Sequence, residues 1–457
     1  MQVIQAAKAL AAQLSALDLL ACRGTQSLSV PCEVEDLVGW LNAQRVTPRL
    51  YWQPREASAA GYAVLGEARA FDSLVALQVD MQRQAQAQSQ AQSQSQPQSQ
   101  SQPVSGSPDY FGGVAFDAQA AGWPGFGDCR FILPRVLLKR QQGRCTLSVN
   151  LHFDDRPPAE ELATAQACLA AIVPERPLPP VAHGSYQRCD TPTRPEWARW
   201  VSQVTQPERL QQLPKVVLSR ETCLTAERVP SPWALLGRWQ AEARHCFHFG
   251  VQWAPGTALI GCSPERLYRR QGQQLVTEAL AGTTRRGRDT AQDEALAGAL
   301  LADKKNGLEN QCVYQQLLTQ LEPLAQRLEM GEAHVVPLRS VQHIRREIHA
   351  ELHPFITDQQ LLSVLPPTPA VGGTPRAAAL ARIRELERHA RGWYAGAFGR
   401  VGHGSSELAV SIRCAQVSDT AIRLYAGAGI VAGSQAEDEW HELDAKIADI
   451  LSLLGMG

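Results

Sequence analysis

One stretch constrains this chain more than any other: Thr277-Glu278-Ala279-Leu280-Ala281-Gly282-Thr283. It reads as a strand that ends in a turn of small residues, and such a turn lets backbone N–H groups come close to an anion. Three other segments are placed to gather around it: Leu213-Pro214-Lys215-Val216-Val217-Leu218-Ser219-Arg220, Gly261-Cys262-Ser263-Pro264-Glu265-Arg266-Leu267, and Leu424-Tyr425-Ala426-Gly427-Ala428-Gly429-Ile430 with the helix that follows it. Each is a short apolar run punctuated by Gly, Pro or Ser, which is the pattern of a strand delivering side chains to its end.

Composition limits the partners. The net charge of -1 supplies no basic field for nucleic acid, and 44 % apolar with 19 % charged residues suits a globular chain. Eleven cysteines are scattered without a Cys-x-x-Cys pair, which argues against a zinc site and a disulfide framework and for a reducing cytoplasm. No signal-peptide pattern opens the chain, and no apolar run approaches the ~20 residues needed to span a bilayer. A cytoplasmic protein without membrane or nucleic-acid partners, monomer or homodimer, is expected. From length alone, 457 residues suggest about three domains.

In chain order, residues 1–20 have helical spacing, and short strands follow up to Leu77. A run of Gln, Ser and Ala at 84–105 offers little apolar surface to offset the entropy of ordering, so 83–108 reads as a disordered loop insertion. Residues 109–152 read as an antiparallel meander. Trp197 to Leu210 reads as a helix with a break at Pro207, Asp289 to Leu328 as a long helix interrupted near Gly307, and Gln435 to Leu454 as the final helix. Strands are expected at 215–218, 251–261, 266–270, 275–280, 396–401, 407–414 and 421–426.

Several residues are candidates for chemistry. Lys215 heads an apolar strand, and apolar walls disfavour a charged amine, which makes it a candidate general base; a lysine snorkelling at a strand end is the alternative. Glu265 follows a Ser-Pro turn and could act as an acid, or simply pair with Arg266. Arg413 lies in a strand so apolar that it must find an anion or several acceptors. On the final helix, Ser434 and Glu437 form a capping-box pattern, and Trp440, Leu443, Ile447, Ile450, Leu451 and Leu454 make an apolar stripe. Glu439, Glu442 and Lys446 lie beside that stripe, as ligands for a hard cation or as a solvated face with a Glu442–Lys446 pair. Glu309 fits N3 of a helix capped by Asn306. Gly427-Ala428-Gly429 is only a GxG and is weak evidence for a nucleotide.

Taken in order, LPKVVLSR (213–220), CSPERL (262–267), TEALAGT (277–283), KKNGLEN (304–310), SVQH (340–343), PTPAVGG (367–373), RGWYAG (391–396), SIRCA (411–415), LYAGAGIV (424–431) and EWHELDAK (439–446) resemble the catalytic core of the chorismate-utilising enzymes, and within that family the isochorismate synthases. The resemblance covers 195–455 well and 109–150 moderately.

That resemblance implies one large α/β (α+β) unit of two packed antiparallel sheets with flanking helices, residues 1–82 belonging to the same unit and 109–457 forming the core. It implies Mg2+ held by Glu309 and Glu442, with Glu439 acting through water. Arg413 and Tyr394 would hold the enolpyruvyl carboxylate, and Gly282, Thr283, Gly429, His343 and Lys446 would complete the substrate site. Lys215 would activate water for attack at ring carbon 2 while Glu265 protonates the departing 4-hydroxyl. Ala281 stands where aminodeoxychorismate-forming relatives carry a nucleophilic lysine, which removes that route. Pro366, where many relatives have His, departs from the pattern. Salicylate synthase, which also eliminates pyruvate, is the neighbouring activity; a non-catalytic anion- or nucleotide-binding protein is the contrasting one.

Overall fold

The computed structural model describes residues 1–20, 22–94 and 108–456. Every pair of named strands is antiparallel, and the pairs build two layers. The first layer runs, in space, through Thr25–Cys32, Arg144–His152, Cys129–Gln141, Gly61–Phe71, Arg49–Gln53, Phe247–Ala254, Thr257–Ser263, Cys414–Ser418, Ala421–Ile430, Lys215–Thr225 and Gln187–Thr191. The second runs through Asp109–Val114, Ala397–Gly402, Ser405–Val410, Arg266–Gln271, Gln274–Arg285 and Val341–Leu352. Aromatic side chains seal the layers together: Phe398 stacks on Phe249 with ring centroids 5.3 Å apart, and Trp253 meets the edge of Trp393 at 5.8 Å.

The two expected sheets are thus present as layers but not as separate sheets. Cys129–Gln141 is 13 residues long, longer than either neighbour on one of its edges. Its first residues pair with Asp109–Val114 and its last with Arg144–His152, so one hydrogen-bonded ladder turns from layer to layer through it. The three-domain expectation from length gives way to a single unit, because this strand ties residues 25–71 to the rest.

The Gln/Ser-rich insertion needs correction. Residues 83–94 continue a helix, Leu74–Gln94, instead of forming a loop. Leu77 and Met81 are buried and anchor its first turns, Gln84 donates a 2.7 Å hydrogen bond to Thr25, and Gln and Ala then propagate a helix at little cost. The remainder of the tract, 95–107, lies outside the described residues.

Two helix starts also differ from the sequence reading. Asp303, not Asn306, caps Lys304–Leu321 by accepting the Asn306 N–H at 2.8 Å, so the helix begins earlier, Gly307 lies inside it and Glu309 is free of any capping duty. The final helix, Ala436–Leu453, begins after Gln435; Ser434 instead accepts the Val431 N–H at 3.2 Å, and Glu437 turns to Arg194. Its apolar stripe packs as expected, with Trp440 against Trp197 and beneath the Arg220 guanidinium.

The meander is held by one buried ion pair. Arg135 and Glu161 are both 1 % exposed; Arg135 Nη2 donates to Glu161 Oε2 at 3.0 Å, and Glu161 also accepts the His152 N–H at 2.7 Å. Glu161→Ala strands a buried guanidinium, so chemical denaturation should show a loss of about 3–5 kcal/mol. A loss below about 1 kcal/mol would mean that the pair is solvated in solution.

Candidate active site

The Thr277–Thr283 stretch carries the bend that opens the site. Gln274–Arg285 pairs with Val341–Leu352 in register up to Leu280, and the register shifts between Leu280 and Thr283. The bulge places Gly282 at φ +85°, a left-handed conformation that favours glycine. Asn310 locks it, its amide donating to the carbonyls of Ala281 and Ile344, each at 3.1 Å. The backbone N–H of Thr283 is taken by Asn306 Oδ1 at 3.0 Å, so Thr283 offers the cavity its hydroxyl and not its amide. That corrects the expectation for Thr283, whose N–H is not free to meet an anion.

Around the bulge lies a narrow cavity of about 60 Å³. Of the twelve expected site residues, Glu265, Gly282, Thr283, Glu309, His343, Tyr394, Arg413, Gly429 and Lys446 line it, drawn from segments far apart in sequence. Lys215 stands at its edge, and Glu442 reaches it through Lys446. Glu439 is set back, buried and held by Lys305.

Lys215 is fully buried at the start of its strand, which excludes the snorkelling alternative. Its ammonium lies 3.0 Å from Glu309 Oε1, at an angle that leaves Nζ without an aligned hydrogen bond. Gly429 makes this meeting possible: a Cβ there would stand 2.2 Å from Glu309 Oε1 and 3.1 Å from Lys215 Cε. The GxG therefore makes room for an acid and a lysine, which counts against a nucleotide phosphate in that place. Burial alone would push Glu309 up, but Lys215, then Lys446 and Lys305, hold it below the usual carboxylate range.

Glu265 sits where the two layers touch. Its carbonyl accepts the Val410 N–H at 3.0 Å and its own N–H donates to Ser263 Oγ at 3.2 Å, so its position is fixed from both sides. Arg266 does not pair with it. Arg266 turns to Glu407 at 3.1 Å and to Glu56. Glu265 thus keeps a carboxyl that, among the described residues, accepts a side-chain hydrogen bond from Thr368 Oγ1 alone, at 3.4 Å. Burial, then the nearby Glu278 carboxylate, push it up to about 8, against the pull of Lys215. It is a protonated acid at neutral pH, held ready to donate.

The sequence reading passed over Glu278, although it lies inside the key stretch. Glu278 is buried, bidentate with Arg55 at 2.7 Å on both oxygens, and accepts the Arg266 N–H at 2.7 Å. Its signal was there, a carboxylate on an apolar strand, but its partner is more than 220 residues away in sequence.

Arg413 is buried, with φ +48°, a strained conformation for a side-chain-bearing residue. Among the described residues no carboxylate pairs with it. Its Nη2 lies 3.2 Å from His343 Nε2, and His343 Nδ1 meets Thr283 Oγ1 at 3.1 Å. Burial, then the charges of Arg413 and Lys446, hold the His343 imidazole well below its ordinary range, so it is neutral and can accept from the guanidinium. Tyr394 stacks on Tyr425 at 5.2 Å and completes the wall.

The three carboxylates expected to hold a cation each carry a lysine: Glu309 with Lys215 at 3.0 Å, Glu442 with Lys446 at 2.6 Å, and Glu439 with Lys305 at 2.5 Å. Among the described residues no three His, Cys, Asp or Glu side chains are gathered into a ready cage. Burial, then the Glu442 charge, push Glu439 upward, against Lys305. The donor set still fits a small hard cation, which takes one or two protein carboxylates and completes its shell from substrate and water. Glu309 and Glu442 are the two that the resemblance would give it, while Glu439 is held by Lys305.

A protonated buried acid and a guanidinium without a carboxylate partner among the described residues, both on one small cavity with a buried lysine at its edge, suit an enzyme that takes an anionic substrate. The chain belongs to the chorismate binding enzymes, whose family model matches residues 12–455. It is 33 % identical over 422 residues to isochorismate synthase MenF of Pasteurella multocida, covering 92 % of this chain and 90 % of that one. It is 33 % identical over 442 residues to isochorismate synthase MenF of Escherichia coli, covering 96 % of each. The solved structure of MenF, the menaquinone-specific isochorismate synthase from Escherichia coli, superposes with a TM-score of 0.87 over 99 % of this chain and all of that one, at 31 % identity.

Proposed function

We propose that this chain is an isochorismate synthase, converting chorismate reversibly to isochorismate. The observation that carries the reading is a buried acid, Glu265, on the cavity and a buried lysine, Lys215, at its edge, near enough for the lysine's charge to act on the acid and delivered by a different segment. Lys215, as the neutral amine once released from Glu309, takes a proton from water as the water oxygen attacks ring carbon 2. The ring double bonds shift, and Glu265 gives its proton to the 4-hydroxyl, which leaves as water. Arg413, oriented by His343, binds a substrate carboxylate, and Tyr394 helps fix the enolpyruvyl arm.

Mg2+ belongs to the same proposal. Glu309 and Glu442 would hold it, and when bound it would draw negative charge from the substrate's ring carboxylate and fix the ring in place. The menaquinone route is the favoured destination of the product, since the relative that superposes over 99 % of this chain is the menaquinone-specific isochorismate synthase from Escherichia coli.

Incubating the purified protein with chorismate, with and without Mg2+, and separating the products tests all of this. The expected result is a Mg2+-dependent equilibrium mixture of chorismate and isochorismate without pyruvate. Pyruvate with salicylate would move the assignment to salicylate synthase. Unchanged chorismate under both conditions would remove the enzyme reading.

A further inference from the structure

Away from the cavity, two cysteines stand directly opposite each other on neighbouring strands. Gln187–Thr191 pairs with Lys215–Thr225 in uninterrupted antiparallel register, and Cys189 is the partner of Cys223. Directly opposed residues of an antiparallel pair point to the same face, with Cα atoms about 4.5–5.5 Å apart. A disulfide needs Cα atoms about 4.4–6.8 Å apart, and the spacing of directly opposed strand residues falls within that range. Both thiols are free, Cys189 is exposed and Cys223 is half-buried.

The register places a cation in the same row. Arg423 is the partner of Cys223 on the opposite edge of the strand, so Cys189, Cys223 and Arg423 lie side by side on one face of three strands. Burial pushes the Cys223 thiol up; the Arg423 guanidinium draws it back only in part, opposed by the Glu221 carboxylate, which lies 3.9 Å from Arg423 Nε. Arg188 and Asp190 flank Cys189 along the strand and so belong to the opposite face, where ion pairs join Arg188 to Asp190 and Asp444.

The molecule contains its own comparison. Cys32 and Cys145 are also direct partners, on Thr25–Cys32 and Arg144–His152. Both are buried, burial pushes the Cys32 thiol up to about 12, and Cys145 spends its S–H on the Val34 carbonyl at 3.3 Å. The same register thus occurs once where an oxidant can reach it and once where it cannot.

We propose that Cys189 and Cys223 form a reversible cross-strand disulfide, a redox modification site on the outer edge of the first layer. The reaction is exchange with a low-molecular-weight disulfide. The thiolate of one cysteine attacks a sulfur of the oxidant and expels one small thiolate; the second cysteine then attacks the mixed disulfide, closes the Cys189–Cys223 bond and expels the other. Two protein thiols are oxidised and one small disulfide is reduced to two thiols.

The bond would close a loop of about 35 residues, 189 through 223, that contains Arg194–Val204 and Lys215. Cys223 is eight residues along the strand from Lys215, roughly 26 Å, so the staple stabilises the segment bearing the lysine without entering the cavity.

The test uses the full-length enzyme, incubated with excess oxidised glutathione at pH 8 and digested without reduction for mass spectrometry. The expected product is a Cys189–Cys223 linked peptide, reversed by dithiothreitol, with Cys32 and Cys145 still reduced and a Tm higher by roughly 2–5 °C. Cys189→Ser, at an exposed position, should lose both the link and the Tm shift while keeping basal turnover. Cys189 carrying glutathione beside a reduced Cys223, a Cys32–Cys145 link instead, or two fully reduced thiols would each overturn the proposal.

Discussion

Lys215→Gln should lower kcat for chorismate consumption by about 10³- to 10⁴-fold, the upper part of the range for losing a positioned base. The loss should fall on kcat and leave KM within a few-fold, because carboxylate binding rests on Arg413, His343 and Tyr394. Glutamine removes the same charge but leaves a polar side chain in the space beside Glu309 Oε1, which lies 3.0 Å from the native ammonium. Alanine would leave Glu309 buried beside an empty space, with its main counter-charge gone and its carboxylate destabilised. That variant would mix a folding defect with a catalytic one. Steady-state rates, with circular dichroism to confirm the fold, decide the matter. A folded Lys215→Gln enzyme retaining more than a third of wild-type kcat would refute the base assignment.

How far the site could be seen in the sequence depends on how local each contact is. Lys215, Glu265 and Arg413 were visible because a charge in an apolar run demands an explanation. What those charges meet was not visible. Glu309 fitted a capping pattern until Asp303 proved to take that duty, a choice settled by where the helix could start. The solvated-face reading of Glu442 was half right, since the Glu442–Lys446 pair exists, yet Lys446 Nζ also donates to the Gly427 carbonyl at 2.8 Å and lines the cavity. The Gln-rich segment misled in the other direction. Low apolar content was read as disorder, but Gln and Ala need only an anchored first turn to continue a helix, and Leu77 and Met81 supply it. The strands were legible from alternation and the two layers only from the resemblance, whereas the single ladder joining them depends on the full length of Cys129–Gln141, which no periodicity reports.

Glu265→Gln should separate catalysis from stability in opposite directions. As the proton donor to the departing hydroxyl, Glu265 must be protonated. Its carboxyl titrates at about 8, so wild-type kcat/KM should hold through neutrality and fall about tenfold per pH unit above that point. Glutamine cannot donate a proton, and kcat should drop by about 10²- to 10⁴-fold at every pH. Stability follows the reverse course. The folded-state value lies above the 4.5 of an ordinary glutamate, so the native state binds this proton more tightly than the unfolded chain does. The contribution is therefore fully present below about 4.5 and is lost as pH rises towards 8. Glutamine is neutral throughout, so the variant's Tm should match wild type near pH 4.5 and exceed it increasingly up to pH 8, then stay ahead by a constant margin. Glu278→Gln supplies the second arm. It removes the carboxylate that helps hold Glu265 up, and the alkaline limb of the wild-type profile should move to lower pH while turnover at pH 6 survives. An alkaline limb that ignores Glu278, together with a Glu265→Gln enzyme no more stable at pH 9 than wild type, would mean that Glu265 is ionised in the folded enzyme and cannot be the acid.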